Sequence, residues 1–342
     1  MKKIGIIGAG TWGTALANML AKSGHQVSLW SRFEEEIATL KNTHRHKNLP
    51  GCVLSDNLHF STDLKEVCHG KSIIVFATPS VFIRQTAELA KPYLNPNQII
   101  VNVAKGIEPK TLLTMSEILE DVLGKEFDYV SLSGPTHAEE VAIGLPTLIV
   151  SACQNSKIAQ VVQDTFSNQT MRVYTNPDVR GVEISGALKN IIALAAGLSD
   201  GLGYGDNAKA AIITRGLVEI TKLGKAMGCH EKTFIGLAGI GDIVVTATSV
   251  HSRNHKAGYL LGKGYTLEKT LAEVGQVVEG LHALEAAKQL EIKYHVELPI
   301  IDVVYEVVHD KLDVSQTINK LFSRRKKDEI KGLIFTEDDV MN

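Results

Sequence analysis

Short apolar runs alternate with longer amphipathic segments over the first half of the chain. Runs of β-branched and other apolar residues bounded by Gly, Pro, Asn or Asp are typical of buried β-strands. Strands that alternate with helical segments predict a parallel sheet with helices on both faces. The predicted strands cover residues 4–7, 27–30, 58–60, 73–76, 99–103, 129–132, 147–150 and, as a last one, 173–174.

The pattern changes near residue 176, where the strand-like runs stop. From there apolar residues recur every three or four positions, which predicts amphipathic helices. In the first half, Pro79 and Pro135 each follow a predicted strand, and proline favours the first turn of a helix, so they mark two predicted helix starts. The predicted helices of the second half cover residues 188–195, 212–220, 281–290, 299–308 and 314–322.

The first predicted strand leads directly into a glycine-rich turn. Gly8, Gly10 and Gly13 follow it, and helix-forming residues 14–17 come next. A strand, GxGxxG and a helix in this order are typical of a dinucleotide-binding βαβ unit. The first glycine permits the tight turn, the second lets backbone approach a pyrophosphate, and the third lets the helix pack on the strand. The free N–H groups at the helix N-terminus attract phosphate.

The residues at the end of the second predicted strand indicate which nucleotide cofactor the chain prefers. An NAD-preferring site would place Asp or Glu there for the ribose hydroxyls, whereas this chain has Ser31 and Arg32. A guanidinium suits the 2′-phosphate of NADP. We predict NADPH as the preferred cofactor, with NADH possible. The alternative is that Arg32 is a solvated loop cation.

The length of 342 residues exceeds what one compact core usually holds. We predict the fold class α/β, with a Rossmann-like domain over residues 1–178 whose mostly parallel sheet carries helices on both faces. An all-α domain would follow over residues 179–332, and residues 333–342 would form a loose acidic tail. No low-complexity linker separates the two predicted domains, so we expect them to meet directly.

Composition and charge narrow the class of protein. The chain is 44% hydrophobic and 22% charged, as in ordinary soluble domains. Its net charge of −2 provides no general field for nucleic acid or a membrane surface, and no uninterrupted apolar stretch is long enough for a membrane span. The four cysteines are scattered, which fits a reducing cytoplasm, and the twelve histidines show no ligand spacing, so we expect no metal site.

Polar residues follow two predicted strands at the edge of the sheet where ligands bind. Lys105 comes just after the strand at 99–103, and Gly134 and Thr136 follow the strand at 129–132. In open α/β sheets ligands lie beyond the carboxyl ends of the strands, and backbone N–H groups in such turns can face them. Each feature alone also fits an exposed lysine or a simple strand-to-helix turn.

Two further groups of polar residues lie in the helical half. Lys189 lies in an otherwise apolar, small-residue helix, where an unpaired ammonium would be costly to bury. It therefore either reaches water or serves a site, and Asp242, after a glycine-rich turn, could pair with it. Ser252, Arg253 and Asn254 together offer hydroxyl, guanidinium and amide donors for an anion. Alone, they would be a polar turn.

These motifs, in combination and in order, resemble the bacterial-type NAD(P)-dependent glycerol-3-phosphate dehydrogenase family over nearly the whole chain. The resemblance implies a Rossmann domain followed by a helical domain, and usually a homodimer. It implies nucleotide contacts at Gly8, Gly10, Thr11, Trp12, Gly13, Arg32, Lys105, Ala138, Arg253, Val277 and Glu279. It implies a substrate site formed by Lys105, Gly134, Thr136, Lys189, Asp242, Ser252, Arg253 and Asn254.

The implied reaction is reversible reduction of dihydroxyacetone phosphate to sn-glycerol 3-phosphate, the backbone for phospholipid synthesis. Lys189 matches the family's proton-transfer residue, and we expect Lys105 and Asp242 to share the catalytic work. Burial near Lys105 would lower the pKa of Lys189, while Asp242 would raise it, and the sequence leaves that balance open. Two alternatives stay open: a reductase of another small β-hydroxy acid, and a nucleotide-sensing module without catalysis.

Overall fold

Eight strands form a single sheet in the first half of the chain. The computed structural model describes residues 1–310, 312–326, 328 and 329, so the predicted tail over 333–342 lies outside the described residues. Every predicted strand is present. The strands are β1 (Lys3–Ile7), β2 (Gln26–Trp30), β3 (Leu58–Ser61), β4 (Ile73–Phe76), β5 (Ile99–Asn102), β6 (Asp128–Ser133), β7 (Thr147–Ala152) and β8 (Met171–Asn176).

The strand order in the sheet is β3-β2-β1-β4-β5-β6-β7-β8. All neighbouring pairs are parallel except β6 and β7, which run antiparallel, with Leu132 opposite Ser151. The prediction of a mostly parallel sheet is confirmed. The carboxyl ends of β1, β4, β5 and β6 therefore meet at one edge, which is where ligands bind in this class of sheet.

Helices cover both faces of the sheet and make up the second half of the chain. In the first half they are α1 (Thr11–Lys22), α2 (Glu34–Thr43), α3 (Leu64–Cys68), α4 (Ile83–Ala90), α5 (Met115–Leu123), α6 (Ala138–Ala142) and α7 (Ser156–Phe166). In the second half they are α8 (Val179–Gly201), α9 (Asp206–Ala226), α10 (Glu231–Phe234), α11 (Asp242–Thr248), α12 (Arg253–Gly262), α13 (Leu267–Val274), α14 (Glu279–Tyr294), α15 (Pro299–His309) and α16 (Val314–Phe322).

The two predicted helix starts at prolines are displaced. Pro79 precedes a single 3₁₀ turn, whose closing bond runs from the Phe82 N–H to the Pro79 carbonyl, and α4 begins only after it. Pro135 lies in a loop, and α6 begins three residues later. Gly134 before it has a φ of +156°, and its carbonyl accepts a hydrogen bond from Lys105, so this segment serves the sheet edge rather than a helix.

Helix α8 is the central element of the helical half, and it is buried almost all round. It crosses α12 at glycines: a Cβ on Gly197 would lie 2.1 Å from the His255 carbonyl oxygen, and one on Gly258 would lie 2.1 Å from that of Leu194. Larger side chains would force the helices apart. By length and composition α8 could cross a bilayer, as could one bent helix pair, but the apolar window of α8 is entirely buried inside the molecule.

The sheet and the helical half meet directly. Strand β8 ends at Asn176 and α8 begins at Val179, and a small apolar cluster of Val150, Val182 and Ala238 lies between the strands and the helices. The helical character of the second half is confirmed. The domain limits at residues 178 and 179 stay a prediction.

The glycine turn after β1 yields a matched pair of stability predictions. A Cβ on Gly13 would lie 2.0 Å from the Gly8 carbonyl oxygen, whereas one on Gly10 meets nothing within 4 Å. Gly13→Ala should therefore lower the free energy of unfolding by about 1–3 kcal/mol, since backbone must move to admit the methyl group. Gly10→Ala should leave it nearly unchanged. Thermal unfolding checks both; equal midpoints for the two variants would contradict this packing.

Candidate active site

A cleft of about 420 Å³ lies between the carboxyl edge of the sheet and the helical half. Both halves of the chain line it, and most of the predicted site residues face it. Those that line it are Gly10, Thr11, Trp12, Lys105, Thr136, Ala138, Lys189, Asp242, Ser252, Arg253, Asn254, Val277 and Glu279.

The glycine turn forms one end of this cleft. Gly8 has a φ of +123°, and a Cβ there would lie 2.8 Å from the Ala77 carbonyl, so only glycine fits. Gly10 faces open space in the cleft wall, and no side chain caps the start of α1. The buried Thr78 hydroxyl beside it has no hydrogen-bond partner among the described residues. Room, free backbone donors and an unpaired hydroxyl fit a dinucleotide pyrophosphate.

Arg32 is placed differently from the other predicted nucleotide residues. It is exposed just after β2 and does not line the cleft. Its guanidinium carbon lies 5.6 Å from the centroid of the Phe33 ring. Its contact with a 2′-phosphate stays a prediction.

The sequence reasoning missed four polar residues that line the cleft near the end of β2. Glu36, His46, Lys47 and Asn48 are there, and the Glu36 carboxylate accepts a 2.5 Å hydrogen bond from the Ser31 hydroxyl. Burial lowers the pKa of His46. These residues come from α2 and the loop after it, which lie beyond the part of the sequence that the dinucleotide-binding motif covers. The run of polar residues in that loop was the one sequence feature that could have indicated them.

A buried charge cluster joins the two halves at the other end of the cleft. Lys189 on α8 donates to Asp242 Oδ1 at 2.7 Å and to the Thr246 hydroxyl at 2.6 Å. Lys105, from the loop after β5, donates to Asp242 Oδ2 at 2.5 Å and to the Gly134 carbonyl at 2.9 Å. The Asp242 side chain is only 1% exposed. One carboxylate therefore holds two ammonium groups that come from different halves of the chain.

The environment lowers the pKa values of both Lys189 and Asp242, for different reasons. Burial lowers the pKa of Lys189 to about 8; Asp242 opposes that shift, and Lys105 adds to it. For Asp242, burial alone would raise the pKa, but Lys105 and Lys189 outweigh it and hold the pKa below its usual value. The balance that the sequence left open is thus settled by burial. Asp242 stays ionised, while Lys189 can gain or lose its proton near neutral pH.

The predicted anion-binding residues lie at the start of α12, on the wall opposite the glycine turn. Ser252 caps this helix by accepting from the His255 N–H at 3.1 Å. Arg253, the first helical residue, is exposed to the cleft. Asn254 is buried and donates to the Asn190 side chain at 2.8 Å, so its amide mainly ties α12 to α8. A helix N-terminus beside a guanidinium is well suited to a phosphate.

The remaining predicted residues serve as walls or supports. Gly8 and Gly13 lie behind the cleft surface, and Gly134 presents its carbonyl to Lys105. Glu279 accepts hydrogen bonds from both the N–H and the hydroxyl of Ser80, which joins the loop after β4 to the start of α14. Thr246 and Asn190 were not predicted as site residues, although each lies next to or one turn from a residue that was.

Two family models match the chain. Residues 3–159 match the model of the NAD-dependent glycerol-3-phosphate dehydrogenase N-terminus, and residues 178–319 match the model of its C-terminus. Together these matches cover most of the chain. The chain belongs to the NAD-dependent glycerol-3-phosphate dehydrogenase family.

Relatives within this family agree with that assignment, and a more distant structure shares the fold. Glycerol-3-phosphate dehydrogenase [NAD(P)+] 2 of Lactobacillus delbrueckii subsp. bulgaricus is 54% identical, over 96% of this chain and 99% of the relative. The crystal structure of glycerol-3-phosphate dehydrogenase from Coxiella burnetii has a TM-score of 0.91 at 36% identity, covering 94% of this chain and 99% of that one. A PanE/ApbA family ketopantoate reductase from Ralstonia eutropha shares only the fold, with a TM-score of 0.64 at 18% identity over 93% of this chain and 99% of that one.

The charge cluster of this dehydrogenase-family site yields a titration prediction. Asp242 raises the pKa of Lys189, so Asp242→Asn should lower that pKa further below about 8. Lysine ammonium NMR across a pH titration measures the change. Asp302→Asn is the control, because Asp302 pairs with Lys288 away from the cleft. An unchanged Lys189 titration in the first variant would contradict the assigned contact.

Proposed function

We propose that the chain catalyses the reversible NAD(P)H-dependent reduction of dihydroxyacetone phosphate to sn-glycerol 3-phosphate. The observation that carries the proposal is the buried pair of Lys189 and Asp242, which faces a cleft whose other end is a dinucleotide turn. Membership of the family supplies the substrate class. The proposal is supported by a single cleft that is lined by Lys189, by Arg253 at the start of α12 and by the glycine turn.

The proton is handled by Lys189. The turn of Gly10, Thr11 and Trp12 would hold the dinucleotide, and its dihydronicotinamide would provide hydride-transfer chemistry at the carbonyl carbon. Lys189, mostly protonated at neutral pH with a pKa of about 8, donates a proton to the oxygen of the substrate as the alkoxide forms. In the reverse direction its neutral amine accepts the hydroxyl proton. Asp242 and Thr246 hold the ammonium in place during both steps.

Lys105 stabilises negative charge on the same oxygen. Its ammonium is fixed by Asp242 and by the Gly134 carbonyl at the edge of the sheet. A fixed positive charge in a site shielded from water contributes on the order of 3 kcal/mol to transition-state stabilisation. The proton donor and the electrostatic partner thus approach the carbonyl from the two walls of the cleft.

The phosphate of the substrate would bind at the start of α12. The N-terminus of this helix and the Arg253 guanidinium offer donors that suit a doubly charged anion. A β-hydroxy acid reductase would need only a carboxylate site there. The ketopantoate reductase is similar in fold alone, and the family match favours the phosphate. A nucleotide-sensing module would have no use for the buried Lys105–Asp242–Lys189 cluster.

We also propose an oligomeric state, a cellular compartment, a metabolic role and a cofactor preference. The enzyme would work as a homodimer in the cytoplasm, and its product would supply phospholipid synthesis. Four free buried cysteines and a nearly balanced charge are compatible with that compartment. NADPH would be preferred through Arg32, although the Glu36 carboxylate at the same end of the cleft suits a free ribose diol and so favours acceptance of NADH.

The activity itself is tested by NADPH consumption with dihydroxyacetone phosphate, followed at the absorbance of the dihydronicotinamide. We expect rapid turnover, with small keto acids much slower; the reverse order would favour the β-hydroxy acid reductase. NADPH binding without turnover of any keto substrate would favour the sensing module.

Replacing the proposed proton donor tests the mechanism. Lys189→Ala should lower kcat by about 10²–10⁴-fold, the usual contribution of general acid catalysis, while NADPH binding is retained. Lys288→Ala is the control, because that lysine is also held in ion pairs, with Glu291 and Asp302, but lies outside the cleft. Near-normal turnover by Lys189→Ala would refute the role.

Replacing Arg32 tests the cofactor preference. Arg32→Ala should weaken NADPH binding much more than NADH binding, because only NADPH carries the 2′-phosphate. Arg172→Ala is the matched control, since Arg172 also lies over an aromatic ring, that of Tyr174, on the distant strand β8. Fluorescence titration of both cofactors measures the dissociation constants. Equal losses would show that Arg32 does not contact the 2′-phosphate.

A further inference from the structure

A buried carboxylate on α8 has no cationic partner. Glu183 is 4% exposed, and no ion pair within the described part of the chain includes it. It accepts hydrogen bonds from the N–H of Ser116 at 3.1 Å, from the Ser116 hydroxyl at 2.7 Å and from the Asn102 amide at 3.4 Å. An unpaired buried carboxylate is costly, and burial raises its pKa.

The partner Asn102 clamps the backbone that leads to Lys105. Asn102 is the last residue of β5. Its side-chain oxygen accepts from the Ala104 N–H at 3.0 Å, and its amide nitrogen donates to the Ala104 carbonyl at 2.9 Å. The same nitrogen donates to Glu183. The Glu183 carboxylate is therefore connected, through one side chain, to the peptide units immediately before Lys105.

The stem of Lys105 also lies against α8. A Cβ on Gly186 would lie 3.5 Å from Lys105 Cγ, so the lysine runs along the helix one turn beyond Glu183. Lys189 follows three residues later, at a rise from Glu183 of about 9 Å along the helix axis. Glu183 thus holds the base of the Lys105 segment, and Asp242 holds its ammonium beside that of Lys189.

We propose that Glu183 is a positioning residue that sets Lys105 in register with Lys189 across the interface between the sheet and the helices. The inference rests on the proposed function, in which both lysines act on the same substrate oxygen. Displacement by about 1 Å can cost on the order of 10²-fold in rate. A buried anchor on the helix that carries Lys189 limits that displacement, and the cost of its charge is offset by the donors of Ser116 and Asn102.

A double-mutant cycle with Lys105 tests the proposal. Glu183→Gln keeps the size of the side chain but removes the carboxylate. It also places an amide N–H₂ group, a hydrogen-bond donor, against the donors of Ser116 and Asn102. We expect kcat for dihydroxyacetone phosphate to fall about tenfold or more, while the dissociation constant of NADPH changes less than about twofold. In a Lys105→Ala background the same substitution should have almost no further effect on kcat, since there is no longer a lysine to position.

Glu219→Gln is the matched control, because Glu219 is a buried carboxylate of the helical half that, like Glu183, is in no ion pair within the described part of the chain. It accepts from the N–H groups of Ile300 and Ile301 at the start of α15, away from the cleft. This variant should unfold at lower temperature, and its effect should not depend on Lys105. Asn102→Ser, which breaks the clamp but leaves the carboxylate, replaces Glu183→Gln if circular dichroism shows that variant to be unfolded.

The outcomes separate the two proposals. If the wild-type protein does not reduce dihydroxyacetone phosphate, the proposed function fails. If it does, and the losses from Glu183→Gln and Lys105→Ala simply multiply, or Glu183→Gln keeps kcat within about twofold, positioning through Lys105 is overturned.

Discussion

The structure depends on one buried carboxylate shared by two ammonium groups. Asp242 is almost fully buried between Lys105, from the edge of the sheet, and Lys189, from the core helix of the other half. Removing one partner of a buried pair costs about 3–5 kcal/mol, because it leaves a charge uncompensated. The cluster is therefore satisfied only when both halves are docked.

The local sequence explains how such a cluster can form in an apolar setting. Small residues on α8 let α12 approach to backbone contact, which places the Ser252–Asn254 turn beside Lys189. A glycine-rich turn ends where α11 begins, so Asp242 stands at the start of a helix and points into the cleft. The close packing of α8 and α12 at their glycines contributes to the burial of α8, the helix that carries Lys189, and burial lowers the pKa of Lys189.

Most of the fold could be predicted from the spacing of apolar residues, because the buried positions of a strand or helix recur at a characteristic interval along the sequence. The apolar runs located all eight strands, and the glycine spacing located the nucleotide turn. The direction of β7 was not predictable from periodicity, since alternation and burial are the same for either direction. Pro135 was assigned to a helix because proline suits a first turn, but the Gly134 carbonyl is bound by Lys105 from another segment.

The candidate site was predictable only in part, and for the same reason. Motifs marked Lys105, Lys189 and Asp242, whose spatial convergence the fold then supplied. No sequence motif marks Glu36 or Glu183. Glu36 was missed because only the folded chain shows that it lines the cleft, and Glu183 because only the folded chain shows its hydrogen bond to Asn102. Residue spacing along the sequence does not predict such long-range contacts. Arg32 followed a general rule for strand ends, yet its side chain lies over Phe33 outside the cleft lining.

In the proposed mechanism, burial lowers the pKa of Lys189 so that it exchanges a proton with the substrate oxygen near neutral pH. The most direct measurement is the pH dependence of kcat/KM in both reaction directions, from about pH 6 to about pH 10. We expect kcat/KM for reduction to be constant at low pH and to fall about tenfold per pH unit above an apparent pKa near 8. We expect kcat/KM for oxidation to rise across the same pKa. A reduction rate that stays level through this range would contradict the mechanism.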